Sequence, residues 1–271
     1  MILAKITRIT TQKKSKSRYN IFLDRNNKET YGFSVDEDIL IEFHLRKGLD
    51  LDESTIEALI QKDNIHKSFT LALNYLSYRM RSKKEIHDYL VKKEVEPDQV
   101  PVVVARLENE GFLNDKEFAA SLVRTRKNTT SKGPLLVKKE LLEKGVPLIT
   151  AEEAVQLYSY EDQYDKAAKW VEKKLKSNGT KSFRQQVQSL QQTLMQKGFT
   201  NDVIKDVLSE INDEKDEDNE WEAVVYQGEK LLRKFSLKEK GPALKHKIKA
   251  GLYRKGFSFE HIDRFIEEYV E

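Results

Sequence analysis

A six-residue motif recurs along this chain of 271 residues and constrains its fold more than any other feature. Residues 194–199 read LMQKGF, residues 252–257 read LYRKGF, residues 141–146 read LLEKGV, and a weaker copy at 90–95 reads LVKKEV. The fifth positions are residues 94, 145, 198 and 256, so successive copies lie about 50 to 60 residues apart. A fixed period of this order is typical of tandem repeats, in which each unit packs on its neighbours. The chain is therefore predicted to be a modular scaffold, and a scaffold of this kind suits a long binding partner.

Between the motifs, apolar residues follow the helical period, and each unit has room for three helices. Gly145, Gly198 and Gly256 fall where the second helix of a unit should end, because glycine readily adopts the left-handed C-terminal cap. The second helices are predicted to begin at equivalent places, namely Ser82 (a capping box with Glu85), Gly133-Pro134, Ser182 and Gly241-Pro242. Thr150, with Glu153 three residues on, is expected to open the third helix of the second unit.

The first 60 residues lack this pattern and alternate apolar and polar residues with a period of two, as at Tyr19, Ile21 and Leu23. Such alternation predicts strands of a half-buried sheet. Ser34 and Glu37 suggest a capping box for a short helix that turns Ile39, Leu40 and Phe43 inward and stops near Gly48. The predicted fold is mainly α, with tandem three-helix repeats forming an elongated curved array behind a small β-containing N-terminal element. The predicted domains are an N-terminal α/β element at 1–63, three-helix repeats at 64–113, 114–161 and 162–212, and an acidic linker with a fourth repeat at 213–271.

Composition supports an array over a single large globule. Charged residues make up 34% of the chain and hydrophobic residues 38%, which is a small supply for one large core. The net charge of +3 conceals segregation: residues 1–20 hold six Lys or Arg and no acid, and residues 228–256 hold ten Lys or Arg and two Glu. There is no cysteine, no signal-peptide pattern and no long uncharged apolar stretch. These features predict a cytoplasmic protein that does not enter a membrane.

No catalytic constellation is legible in the sequence. None of the five histidines lies four residues from another, and no cysteine can complete a zinc site. The segment 179–182, Gly-Thr-Lys-Ser, lacks the first glycine and the Gly-Lys pair of a phosphate-binding loop. The sequence therefore predicts a protein that is not an enzyme, with no catalytic residue, no metal site and no cofactor.

Basic residues cluster at the junction of the first and second helices in the first two units. We expect these side chains to contact the partner, because lysine and arginine suit an acidic surface or a phosphate backbone. The alternative is that Arg79 and Arg126 pair with a glutamate of the next helix, and the sequence leaves both open. The candidate partner-binding residues are Arg79, Arg81, Lys83, Lys84, Arg124, Arg126, Lys127, Lys132, Lys138 and Lys139.

The same segments resemble the RecX family of regulatory proteins. Residues 72–79 (ALNYLSYR), 81–86 (RSKKEI) and 111–115 (GFLND) resemble the first repeat and its exit, and residues 140–146 (ELLEKGV) complete the pattern. The likeness spans about residues 68–260, with the specific motifs in the first two units and the period in the last two. The N-terminal extension and fourth unit are similar to the longer form seen in Gram-positive bacteria. The chain departs from the family pattern at Glu94 and Val95, where glycine and isoleucine are usual.

The resemblance implies a regulator without enzymatic activity. Members of this family bind the filament of RecA on single-stranded DNA, in its groove or at its growing end, and reduce ATP turnover, extension and strand exchange. The implied partners are the RecA filament and, in addition, single- and double-stranded DNA, and the implied state is a monomer. The competing interpretations are a general DNA-binding protein made of small helical repeats and, least favoured, an enzyme.

Overall fold

The computed structural model describes residues 3–25, 27–175, 179–211 and 217–270. It begins with three strands, β1 (Leu3–Thr11), β2 (Arg18–Arg25) and β3 (Lys28–Asp36), followed by a short helix α1 (Glu37–Glu42) and a fourth strand β4 (Asp50–Asp52). The four strands form one antiparallel sheet in the order β3-β2-β1-β4. Ile21, Leu23, Phe33 and Val35 are buried on one face, as the alternation predicted.

Three expectations for this element are wrong in detail. Ser34 lies inside β3, and the N-cap of α1 is Asp36, whose carboxylate accepts the backbone N–H of Asp38. The helix ends at Glu42 rather than near Gly48, and Phe43 is exposed. The reason is that β2 pairs with β3 as far as Asp36, so the backbone of Ser34 stays extended in the sheet. The three-residue strand β4 was missed because it is too short to show an alternation.

Four repeats of three helices follow the sheet. Repeat 1 comprises α2 (Glu53–Leu76), α3 (Lys83–Lys92) and α4 (Gln99–Asn109), and repeat 2 comprises α5 (Asp115–Thr129), α6 (Pro134–Glu143) and α7 (Leu148–Val155). Repeat 3 comprises α8 (Tyr160–Leu175), α9 (Phe183–Gln196) and α10 (Asn201–Ile211). Repeat 4 comprises α11 (Glu217–Phe235), α12 (Gly241–Arg254) and α13 (Phe259–Tyr269). The mainly helical fold with a small N-terminal sheet is therefore confirmed.

Several local signals act as expected and one does not. Ser82 and Glu85 form the capping box of α3, and α6 starts at Pro134. Thr150 lies inside α7, which starts at Leu148 directly after Pro147. Because Pro147 supplies a backbone angle close to the helical value and lacks an N–H, it favours a start at this earlier place. The acidic run begins in residues outside the described ranges, and α11 already starts at Glu217.

The chain divides into two compact units, residues 1–118 with 144–146, and residues 119–143 with 147–271. In the first unit, α2 is long enough to contribute Ile56 and Leu59 to the core under the sheet and Phe69 and Ala72 to the core of repeat 1. The helix is tied to the sheet by Asp63, which is buried and binds Arg18 through both carboxylate oxygens. In the second unit, repeats 3 and 4 each have an apolar core of their own.

Candidate partner-binding surface

The start of α3 in the first unit is a crowded polar junction. The Ser82 hydroxyl accepts the backbone N–H of Glu85 at 3.2 Å and donates to the carbonyl oxygen of Lys144 at 2.7 Å. Lys144 also donates its ammonium group to Glu85 at 2.9 Å. The Lys-Gly turn at 144–145 therefore rests directly on the start of α3, and the recurring motif does more than end a helix.

The second unit contains two further contacts of this kind. The N–H groups of Gly133 and Leu135 donate to the carbonyl oxygens of Lys197 at 2.7 Å and Gly198 at 3.0 Å. In repeat 3 the Ser182 hydroxyl donates to the carbonyl oxygen of Lys255. A Lys-Gly turn thus packs on the start of α3, of α6 and of α9, and we call each of these contacts a turn junction. Sequence reasoning identified both partners of each junction but not that they meet, because their residues are far apart in the chain.

Arg79 and Arg126 are both engaged within the protein. Arg79 donates to Glu85 at 2.9 Å, and Arg126 donates from Nε and Nη2 to Glu140. The ammonium group of Lys144 also donates to Glu85, and that of Lys132 donates to Glu140 at 2.8 Å. The arrangement found is therefore the second of the two that the sequence left open, in which each arginine pairs with a glutamate of the next helix.

These cations strongly perturb the two carboxylates. Although burial opposes it, hydrogen bonds from Arg79 and Lys144 lower the pKa of Glu85 to about 2. Hydrogen bonds from Arg126 and Lys132, against a smaller effect of burial, lower the pKa of Glu140 to about 2. Both glutamates are thus ionised at neutral pH and hold the first and second helices of their repeats together.

Arg81 stacks on an aromatic pair. Its guanidinium lies 3.4 Å from the ring centre of Tyr75, and it donates to the carbonyl oxygen of Tyr75 at 3.1 Å. The ring of Tyr75 also stacks on the ring of Tyr89, with ring centres 3.7 Å apart. The sequence signal for this cluster was weak, because Tyr75 and Tyr89 belong to different helices and each resembles an ordinary apolar position.

The other predicted residues differ in how strongly they are held. Lys83, Lys127 and Lys138 form ion pairs with Glu108, Asp162 and Glu152 respectively. The side chain of Lys84 lies against Gly145 at the turn junction. Lys139 is highly exposed, with its nearest carboxylate, that of Glu143, 4.0 Å away. Arg124 is exposed and has no ion pair within the part of the chain that the structure describes.

Thus the structure places the ten candidate residues in two groups. In the first unit, Arg79, Arg81, Lys83 and Lys84 surround the start of α3, as the sequence predicted. In the second unit, the remaining six lie on α5, on α6 and in the segment between them. Arg124 and Lys139 are exposed and form no ion pair shorter than 4.0 Å among the described residues, whereas Arg81, which also lacks an ion pair there, is half-buried against Tyr75. Arg124 and Lys139 are therefore the most available to an acidic partner.

One group of possible metal ligands escaped the sequence analysis. Asp36, Asp38 and His66 bring one ligand atom each to within 4.8 Å of one another. His66 Nε2 lies 3.6 Å from Asp36 Oδ1 and 3.9 Å from Asp38 Oδ2. The histidine lies on α2 and the aspartates at the start of α1, so the spacing of histidines alone could not reveal the group.

Among the described residues, no helix is long and apolar enough to cross a membrane.

Comparison with known proteins assigns each part of this architecture. The family model for the regulatory protein RecX N-terminal domain matches residues 4–52, and that for the first RecX three-helix domain matches residues 69–107. The second three-helix domain matches residues 114–155, and the third matches twice, at 161–208 and 217–266. The chain belongs to the RecX family. Repeat 4 is thus a second copy of the third RecX domain, which accounts for the likeness between LMQKGF and LYRKGF.

Relatives and solved structures agree with this assignment. The chain is 47% identical over 270 residues to the regulatory protein RecX of Oceanobacillus iheyensis, covering 99% of both chains. It is 43% identical to the regulatory protein RecX of Halalkalibacterium halodurans, covering 98% of this chain and 100% of the relative. A crystal structure of regulatory protein RecX superposes with a TM-score of 0.67 at 36% identity, covering 75% of this chain and 99% of the other. The RecX family is a family of regulators and not a known class of enzymes.

Proposed function

We propose that this RecX family member binds the filament that RecA forms on single-stranded DNA and inhibits ATP hydrolysis, filament extension and strand exchange by RecA. The observation that carries the proposal is the match of four RecX family models to five segments of the chain, together with relatives named as regulatory proteins over nearly the whole chain. In this proposal the protein acts in the cytoplasm, as a monomer and without a cofactor.

The geometry supports binding through many modest contacts on helical repeats. Several repeats that each contact a periodic partner gain affinity from their number, because the later contacts form within an existing complex. Arg124 and Lys139 are exposed cations on adjacent helices of repeat 2, and they suit an acidic protein surface or a phosphate. By contrast, Arg79 and Arg126 are assigned to holding their repeats together.

The test is ATP hydrolysis by RecA on single-stranded DNA, measured with and without this protein. We expect inhibition by the wild-type chain and a loss of at least about tenfold in potency for Arg124→Glu with Lys139→Glu, since reversing two interfacial charges costs more than about 1.4 kcal/mol. A suitable control is Lys173→Glu with Lys205→Glu in repeat 3, which reverses the same number of exposed charges.

Charge reversal at Arg126 is a poor probe, because it would place a second carboxylate beside Glu140 and disturb the fold. No effect of the wild-type chain on ATP hydrolysis would contradict the proposed function. Equal potency of the Arg124/Lys139 variant and the control would leave the function standing and exclude these two residues from the binding surface.

A further inference from the structure

Within the described residues, one start of a second helix lacks the turn that the other three carry. Lys240-Gly241-Pro242 opens α12 with the same three residue types as Lys132-Gly133-Pro134 before α6. At Gly133 an added Cβ would lie 2.4 Å from the carbonyl oxygen of Gly198, whereas at Gly241 nothing lies within 4 Å. Accordingly Pro134 is buried and Pro242 is exposed. The start of α12 therefore has the sequence of an occupied junction and is unoccupied.

Repeat 1 contains the corresponding turn, whose backbone forms no hydrogen bond to a helix start among the described residues. After α3, the N–H of Glu94 donates to the carbonyl of Val91 and that of Val95 to the carbonyl of Leu90, at 3.0 and 3.2 Å. The turn after α9 has the same pattern, from Gly198 to Met195 at 2.9 Å and from Phe199 to Leu194 at 3.2 Å. Glu94 has φ 60 and Gly198 has φ 80, so both turns are left-handed at the same position.

At the fifth position of the motif, repeat 1 has Glu94 where the other three copies all have glycine. At the three turn junctions the residue is glycine, and a Cβ at Gly145 or Gly198 would come within 2.6 Å of Lys84 Cβ or of Leu136 N. Glu94 instead carries a charged side chain that is exposed. Glu94 is in the left-handed conformation, which glycine adopts more easily than any other residue. Glu94 forms no ion pair with any residue that the structure describes.

We propose that Glu94 prevents head-to-tail association of two copies of this chain, in which the turn of repeat 1 of one copy would occupy the free start of α12 of the other. Such a contact joins two different surfaces, so each bound copy would present the same two surfaces again and association would continue. The Glu94 side chain opposes it by filling the space that glycine leaves open and by requiring a carboxylate to lose its water. Polar ends of this kind keep repeat arrays soluble.

The experiment compares Glu94→Gly with the wild-type chain by sedimentation velocity over a wide range of concentrations. Glycine suits the left-handed turn, so the variant keeps its fold. We expect the wild-type chain to sediment as a monomer throughout, and Glu94→Gly to form species whose size increases with concentration.

Two further variants isolate the cause. Glu94→Asn retains a Cβ but tolerates a left-handed backbone, so it should stay monomeric. Adding Pro242→Glu to Glu94→Gly places a carboxylate at the start of α12, where the counterpart in α6, Pro134, is buried by the turn. The substitution should not disturb α12 itself, because an acidic residue in the first turn favours a helix. This double variant should return to the monomer. The proposal fails if Glu94→Gly remains monomeric at every concentration, if Glu94→Asn associates equally, or if Pro242→Glu does not reverse the association.

Discussion

At the scale of single residues, two glutamates determine how the basic helix junctions are built. The side chains of Glu85 and Glu140 are 17% and 15% exposed, and each receives two cationic side chains. A carboxylate held in this way keeps its partners in place, so the arginines around it are poor candidates for contacts with another protein. The cations that remain available to a partner, Arg124 and Lys139, do not take part in the ion pairs around Glu85 and Glu140.

The low pKa of Glu85 makes the stability of its junction depend on pH. Its pKa falls from 4.5 to about 2 on folding, so its stabilising effect is complete above pH 4.5 and is lost as the pH falls toward 2. After allowance for the exposure of Arg79, the ionised Glu85 contributes on the order of 2 kcal/mol to the free energy of unfolding. We predict that Glu85→Gln lowers the thermal unfolding temperature at pH 7 and that its difference from the wild type narrows between pH 5 and pH 2.

Circular dichroism at a series of pH values measures this difference. Glu57→Gln is the matched control, because Glu57 is exposed on α2 and has no ion pair among the described residues. It should change the unfolding temperature little at any pH. A pH-independent loss in Glu85→Gln would show that packing, rather than charge, holds the junction.

At the scale of elements, the sequence revealed local signals and missed contacts between distant segments. Ser82 with Glu85 and Gly133 with Pro134 were identified as helix starts because caps depend on neighbouring residues only. The Lys-Gly pairs were recognised as helix ends for the same reason. The contact of each turn with the start of another helix could not be recognised, since the residues of a turn junction are 59 to 73 positions apart. The stack of Arg81, Tyr75 and Tyr89 was missed because Tyr75 and Tyr89 lie on different helices, α2 and α3.

Two glycines distinguish a turn that only ends a helix from a turn that also packs against another helix. Gly111 and Gly198 both have φ 80, but an added Cβ meets nothing within 4 Å at Gly111 and lies 2.6 Å from Leu136 N at Gly198. We predict that Gly111→Ala costs about 1 kcal/mol of unfolding free energy, from backbone conformation alone. Gly198→Ala should cost about 1–3 kcal/mol more, because the turn must move away from α6.

Chemical denaturation measures the two costs. Hydrogen exchange should also show faster exchange at the N–H groups of Gly133 and Leu135 in Gly198→Ala only, since these groups donate to the displaced turn. Equal costs for the two substitutions would mean that the close approach to Leu136 does not stabilise the second unit.

At the scale of the whole molecule, the distribution of charge bears on what the protein binds. A net charge of +3 on a chain with 48 basic and 45 acidic residues is small, and most of the predicted basic residues have acidic partners. A protein that binds nucleic acid through its phosphates usually has a larger surplus on one surface. At the candidate surface this pairing favours contact with a protein over direct binding along DNA, whereas residues 1–20 and 228–256 carry a surplus of positive charge.

The charge of the protein leads to a prediction about how its activity depends on salt concentration. Binding to single-stranded DNA alone should weaken with a log–log slope of about −0.7 per phosphate contacted. We predict that inhibition of RecA persists at a salt concentration where binding of labelled DNA by the isolated protein has disappeared. The reason is that contacts with the RecA protein are not lost by displacing counterions from phosphates. Fluorescence anisotropy of the DNA and ATP hydrolysis by RecA, measured in the same buffers, test the prediction. If the two activities instead disappear together with the same slope, the protein acts by binding DNA, and the filament of RecA is not its primary target.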